Sequence, residues 1–143
     1  MTQQNRSTYV ITDPTQILAA LVGLKDITVL HLERRGPDVE LAIEQRIGEV
    51  RCLTCGVLAQ VKDRPLVRYI DLPVYGSPMR LCWKKHRMRC ANRRCPKRSW
   101  VLSDHRIAAK NCLLTTRAAK WARRSSAGAP CEIRVLSGRR PLD

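Results

Sequence analysis

Four cysteines in two pairs carry most of the chemistry in this 143-residue chain. They are Cys52-Leu53-Thr54-Cys55-Gly56 and Cys90-Ala91-Asn92-Arg93-Arg94-Cys95-Pro96, a C-x2-C and a C-x4-C separated by 34 residues. Two thiolates on one tight turn occupy two corners of a tetrahedron, and a second pair supplies the other two. That is the closed four-sulfur coordination of structural zinc. Gly56 suits the first turn, because glycine reaches positive φ without steric cost. The competing readings are a redox dithiol at Cys52 and Cys55, or seven scattered buried cysteines. His86 could replace a cysteine as ligand, but its spacing to Cys90 and Cys95 argues against it. His31 reads as an ordinary strand histidine, and Cys82, Cys112 and Cys131 as thiols outside the site.

Composition gives zinc a structural task. Aromatic content is 4% with no phenylalanine, so the hydrophobic core must be small. In such a domain metal binding free energy becomes folding free energy, on the order of 10–16 kcal/mol in finger peptides. An odd number of cysteines in metal-type spacing fits a reducing cytoplasm better than a disulfide framework. No apolar run approaches the roughly 18 residues needed to span a membrane, and the first residues lack a secretory layout.

The net charge is +15, and it is unevenly spread. Residues 1–50 hold 5 basic and 7 acidic side chains, whereas residues 51–124 hold 19 and 3. A solvated face is rarely so lopsided. Nucleic acid is the natural partner for this footprint. An anionic membrane surface fits less well, since no helix with a bulky apolar face accompanies the charge.

The elements that must position these groups follow from local pattern. Residues 1–12 read as a flexible N-terminus. Asp13-Pro14-Thr15-Gln16 is a helix start, with Ile17, Leu18, Leu21 and Val22 as its apolar stripe and Gly23 as its stop. Ile27 to Val50 reads as a β-hairpin turning at Arg35-Gly36-Pro37-Asp38; residues 13–50 would form a scaffold. Residues 51–104 read as the zinc-binding β domain. In it Leu66–Leu72 and Met79–Lys84 are strands, and Met79, Leu81 and Trp83 point inward to cover the metal. Residues 105–124 read as a basic helix, with Leu114, Ala118 and Trp121 on one side, Arg117, Lys120 and Arg124 beside them, and Thr115 or Thr116 as cap. Residues 125–143 lose all periodicity and read as a disordered tail. The expected class is α+β: a small zinc-ribbon-like antiparallel β domain with an N-terminal helix and hairpin and a C-terminal basic helix.

The cysteine region resembles the N-terminal zinc-binding domain of ISL-three-type insertion-sequence transposases. Carrying that resemblance are Cys52-Leu-Thr-Cys55-Gly56, Asp71-Leu72-Pro73-Val74-Tyr75-Gly76, Met79-Arg80-Leu81, and Arg87-Met88-Arg89-Cys90 through Cys95-Pro96. Thr116 to Trp121 fit as well, so the likeness spans roughly residues 15–122. It implies a module that binds the inverted-repeat ends of an insertion sequence as double-stranded DNA, in the bacterial cytoplasm at the nucleoid. It also implies association with full-length transposase. The family continues into a helix-turn-helix and a catalytic domain with three metal-holding acids. Here 21 residues follow Ala122 and cannot hold such a domain. Their composition resembles out-of-frame coding, so a truncated, non-catalytic transposase remnant is the expectation.

Phosphate contacts would come from Arg80, Lys84, Lys85, Arg87, Arg89, Arg93, Arg94, Lys97 and Arg98, joined by Arg117, Lys120 and Arg124 of the basic helix. An RNA-binding zinc ribbon is the alternative that charge and metal spacing fit equally well. A thiol enzyme using Cys52 and Cys55 is a third. Asp63, Asp71 and Asp104 are the only acids of the basic region, and Asp71 reads as a strand-end residue rather than a metal ligand.

Overall fold

Alternating apolar residues make two sheets rather than one. The computed structural model describes residue 10 and residues 12–125. The elements are α1 (Pro14–Val22), β1 (Ile27–Arg35), β2 (Asp38–Gln45), β3 (Ala59–Asp63), β4 (Leu66–Val74), β5 (Ser77–Lys84), β6 (Arg87–Cys90), β7 (Ser99–Val101) and α2 (Thr116–Ser125). One sheet has four strands in the order β1-β2-β5-β4, the other three in the order β3-β6-β7. The fold is mixed α+β and mostly antiparallel. One pairing departs from the expected antiparallel domain: β2 and β5 run parallel.

The larger sheet holds the core. Val29, Ile43, Trp83 and Val67 form one row across all four strands, and Leu41, Leu81 and Tyr69 lie in the next. These residues share one side because side chains alternate along a strand. Ile107 and Ala108 close over them, together with Ala19, Val22 and Leu24 from α1 and the residues after it. The expected helix stripe is therefore only partly right: Leu21 is 73% exposed and Ile17 is also open to solvent. A bulge between Val29 and His31 shifts the phase of β1. It turns His31 to the opposite side of the sheet from Val29.

This arrangement corrects the boundary expected at residue 50. Strands β4 and β5 lie within the stretch assigned to the zinc domain, yet they join the hairpin β1-β2 in one sheet. Only the first knuckle, β3, β6, the second knuckle and β7 surround the cysteines. Cys82 is fully buried although it lies on the outward phase. Burial and the neighbouring Glu40 carboxylate push its thiol up to about 11.

The basic helix is shorter than expected, beginning at Thr116. Thr115 is its cap, its Oγ1 accepting from Ala118 N at 3.3 Å. The preceding residues add a parallel bridge to the edge of β4, Ile70 N donating to Leu113 O and Thr115 N to Ile70 O. Ala118 and Ala119 are buried, while Trp121 stands 60% exposed instead of packing inward. The tail expected at 125–143 and the N-terminus expected at 1–12 lie, apart from residues 10, 12 and 125, outside the described residues.

A candidate metal centre and its basic surround

Each cysteine pair sits where the backbone turns hardest. In the first knuckle an Arg51–Leu58 bridge closes a loop in which Gly56 N donates to Cys52 O at 2.8 Å. Cys52 N donates to Val57 O at 2.9 Å. Gly56 adopts φ +73° there, the conformation expected of it. The second knuckle is built by Asn92, whose side chain accepts from Arg94 N at 3.0 Å while its carbonyl accepts from Cys95 N at 3.1 Å. Strands β3 and β6 then bring the knuckles together, because Ala59 pairs with Cys90.

The four sulfurs of Cys52, Cys55, Cys90 and Cys95 all lie within 4.8 Å of one another. Cys52 Sγ to Cys95 Sγ is 3.8 Å, and Cys55 Sγ to Cys90 Sγ is 3.5 Å. A disulfide would need about 2.05 Å. A tetrahedral ion with metal–sulfur bonds of about 2.3 Å gives sulfur–sulfur edges of about 3.8 Å. The cluster has the size of that tetrahedron, so the four residues fit a metal ion. Cys52, Cys90 and Cys95 are buried, Trp100 packs against them, and Cys55 forms the open lip.

Backbone amides at Cys55 and Thr54 hold the Cys52 thiol down at about 6. Burial pushes Cys90 up to about 12 and raises Cys95 too. Four adjacent thiolates carry more negative charge than such a site tolerates alone. A cation among them removes that conflict.

Met79, Leu81 and Trp83 do not cover this centre, contrary to expectation. They face the core of the larger sheet, and Trp100 takes the covering role. His86 is buried with Nε2 3.3 Å from Glu44 Oε1, and it is not part of the sulfur cluster. His31, Glu33 and Glu40 form a second group of metal-ligating types. There Glu33 is bonded to Arg35 at 3.0 Å within β1, and Glu40 of β2 lies 3.7 Å from Arg68 of β4, so both carboxylates already have a cation beside them.

The expected phosphate-binding residues divide into groups. Lys85 is a correction: it is 9% exposed, with Nζ 4.4 Å from the Trp83 ring centroid and 3.4 Å from Tyr69 Oη. Burial lowers its pKa. It belongs to the core, held by a cation–π contact. Arg117 is committed to Asp71, and Arg87 pairs with Asp63 at 3.0 Å. Arg80 is exposed on β5 opposite Glu40, and Lys84 is half-buried opposite Glu44. Lys120 and Arg124 are exposed on α2. Arg89, Arg93, Arg94, Lys97 and Arg98 are exposed around the second knuckle.

Three of these line a cleft of about 390 Å³ beside the cysteines: Arg89, Arg93 and Arg98, with Lys62, Gln60 and Ser99. The pairing explains it. Gln60, Arg89 and Ser99 form a polar row across β3, β6 and β7, and Val61, Met88 and Trp100 lie in the next row. Lys62 was missed because β3 is short, mostly exposed and weakly patterned. Its signal was the polar alternation Gln60, Lys62 after the first knuckle. A second cavity, about 440 Å³, is apolar and lies between α1 and the core face of the larger sheet.

Compared with protein-family models, with characterised proteins and with solved structures, the chain matches none. Among the described residues no helix is long and apolar enough to cross a membrane.

Proposed function

We propose that this chain is a zinc-stabilised module that binds double-stranded DNA, of the kind found at the N-terminus of insertion-sequence transposases, and that it performs no catalysis itself. The observation that carries the reading is the company the sulfur cluster keeps. Arg93, Arg94, Lys97 and Arg98 surround the second knuckle, and none of them forms an ion pair among the described residues. Unneutralised cations at that density store repulsion that a polyanion relieves. Zinc suits four thiolates in a closed tetrahedron, and such a site has no open position for a reacting water. The metal's task is to fix the two knuckles; the arginines and lysines bind. The resemblance of Asp71 to Gly76 and of the cysteine knuckles to the transposase domain supplies the partner, the inverted-repeat ends of an element.

The test is binding to the terminal inverted repeat flanking the chain's own gene against a scrambled duplex and a structured RNA, at one fixed moderate salt. A preference for the repeat of about 10³-fold or more over the scrambled duplex is expected, the lower end typical of specific binders. Equal binding to both duplexes would leave only an electrostatic module. Tighter binding to the RNA would replace the reading with an RNA-binding zinc ribbon.

A further inference from the structure

We infer that the cleft between β3, β6 and the second knuckle is a seat for one backbone phosphate, formed by Lys62, Arg89, Arg93 and Arg98. The inference rests on the DNA-binding reading and names the point where the duplex backbone is anchored.

Three observations converge on it. The residues lining the cleft include four cations and no carboxylate. None of those four cations pairs with an acid among the described residues, whereas Arg87, two residues before Arg89 on β6, is neutralised by Asp63. Two of the four are also aimed by neutral partners. Arg89 Nη2 donates to Gln60 Oε1 at 3.1 Å, and Arg98 Nη1 donates to Arg93 O at 3.3 Å. Each guanidinium spends one N–H on the scaffold and keeps others for a ligand. Planar donors held in this way suit the oxygens of a phosphodiester, which they engage through paired hydrogen bonds.

The metal centre gives the seat its rigidity. Cys90 and Ala91 also line the cleft, and Cys90 N donates to Arg98 O at 3.1 Å. The strand that carries a sulfur ligand therefore also fixes the segment that carries Arg98. Preorganised cations lose little freedom when the phosphate arrives, so more of their attraction appears as affinity.

The experiment measures duplex affinity as a function of salt for the full chain and for two double variants. In Arg89→Gln/Arg98→Gln the seat loses two cations. In Lys120→Gln/Arg124→Gln the same charge is removed from α2. Zinc content and thermal midpoint are recorded for both, so that an unfolded variant is recognised. The cleft variant is expected to keep its zinc and to lose about 0.9 from the log–log salt slope, one phosphate's share. It should weaken binding to every duplex by the same factor, because a phosphate contact carries no sequence information. An unchanged slope in a folded, zinc-loaded cleft variant overturns the seat while leaving DNA binding intact. Absence of duplex binding by the unmodified chain overturns both. If the double variant loses its zinc, Lys62→Gln, on β3 beyond the first knuckle, decides the question by the same slope.

Discussion

The Arg117 guanidinium holds the Asp71 carboxylate by two points, Nε to Oδ1 at 2.8 Å and Nη2 to Oδ2 at 2.7 Å. Thr115 Oγ1 adds a third bond to Oδ1 at 2.6 Å, so one buried acid of β4 ties down both the cap and the first turn of α2. Burial raises the Asp71 pKa, but the Arg117 and Thr115 bonds more than offset it and the net direction is down. Asp71→Ala should cost about 2–4 kcal/mol, since it removes a nearly buried carboxylate and leaves Thr115 Oγ1 and the Arg117 guanidinium without their acceptor. Arg117→Gln should lower the thermal midpoint yet leave the salt slope of DNA binding unchanged. A slope reduced by about 0.9 would return Arg117 to the phosphate contacts.

Metal loading gives the second expectation. The chain should bind one zinc, and a strong chelator should lower its thermal midpoint sharply, because metal and folding are coupled. Cys95→Ser should weaken metal retention, and Cys82→Ala should leave zinc content unchanged, since Cys82 lies in the other sheet. Elemental analysis with thermal melts reads both. Two zinc ions per chain would point to the His31, Glu33 and Glu40 group as well.

The clustering of Cys52, Cys55, Cys90 and Cys95 was legible in the sequence because cysteine spacing encodes knuckle geometry locally. The helix start at Asp13, the stop at Gly23 and the turn at Gly36 were legible for the same reason. Partition between sheets was not. Met79, Leu81 and Trp83 show the right alternation, but alternation says only that they share a side, not which core that side faces. The parallel pairing of Leu41 with Leu81 is made across a long stretch of chain and leaves no local signature. Lys85 carries a charge that composition counts as exposed, and only the Trp83 and Tyr69 rings beside it reveal otherwise. The Arg117–Asp71 pair left no local signature either, since the two residues are 46 positions apart.

Acid sensitivity should centre on Asp104. The Arg106 side chain, against some cost of burial and with help from Gln45, holds its carboxyl down at about 2. A carboxyl lowered in the folded state stabilises the fold above its unfolded value near 3.8, and that contribution disappears as pH falls toward about 2. The difference in urea midpoint between the unmodified chain and Asp104→Asn should thus be constant from pH 7 to 5 and shrink below pH 4. Acid-driven metal loss affects both proteins, so the difference isolates the carboxyl. A difference that stays constant to pH 3 would show that Asp104 acts through shape and hydrogen bonding, not through its charge.

Tyr75 sits at the tip of the β4–β5 hairpin with φ +47°, followed by Gly76 at +75°. Val74 pairs with Ser77, so the loop has two residues, and both occupy the left-handed region as a type I′ turn requires. Glycine accepts that conformation freely, but a bulky aromatic does not. The ring recovers nothing by packing, since Tyr75 is fully exposed. Tyr75→Asn should therefore stabilise the fold, by about 0.5–1 kcal/mol, because asparagine is the residue this turn position favours. Gly76→Ala should destabilise by a similar amount or more. Thermal melts of the two variants decide the conformational point. DNA affinity of Tyr75→Asn decides the other: a more stable protein that binds as before marks Tyr75 as a tolerated cost of the turn. A more stable protein that binds more weakly means that the strain is kept for contact with the partner.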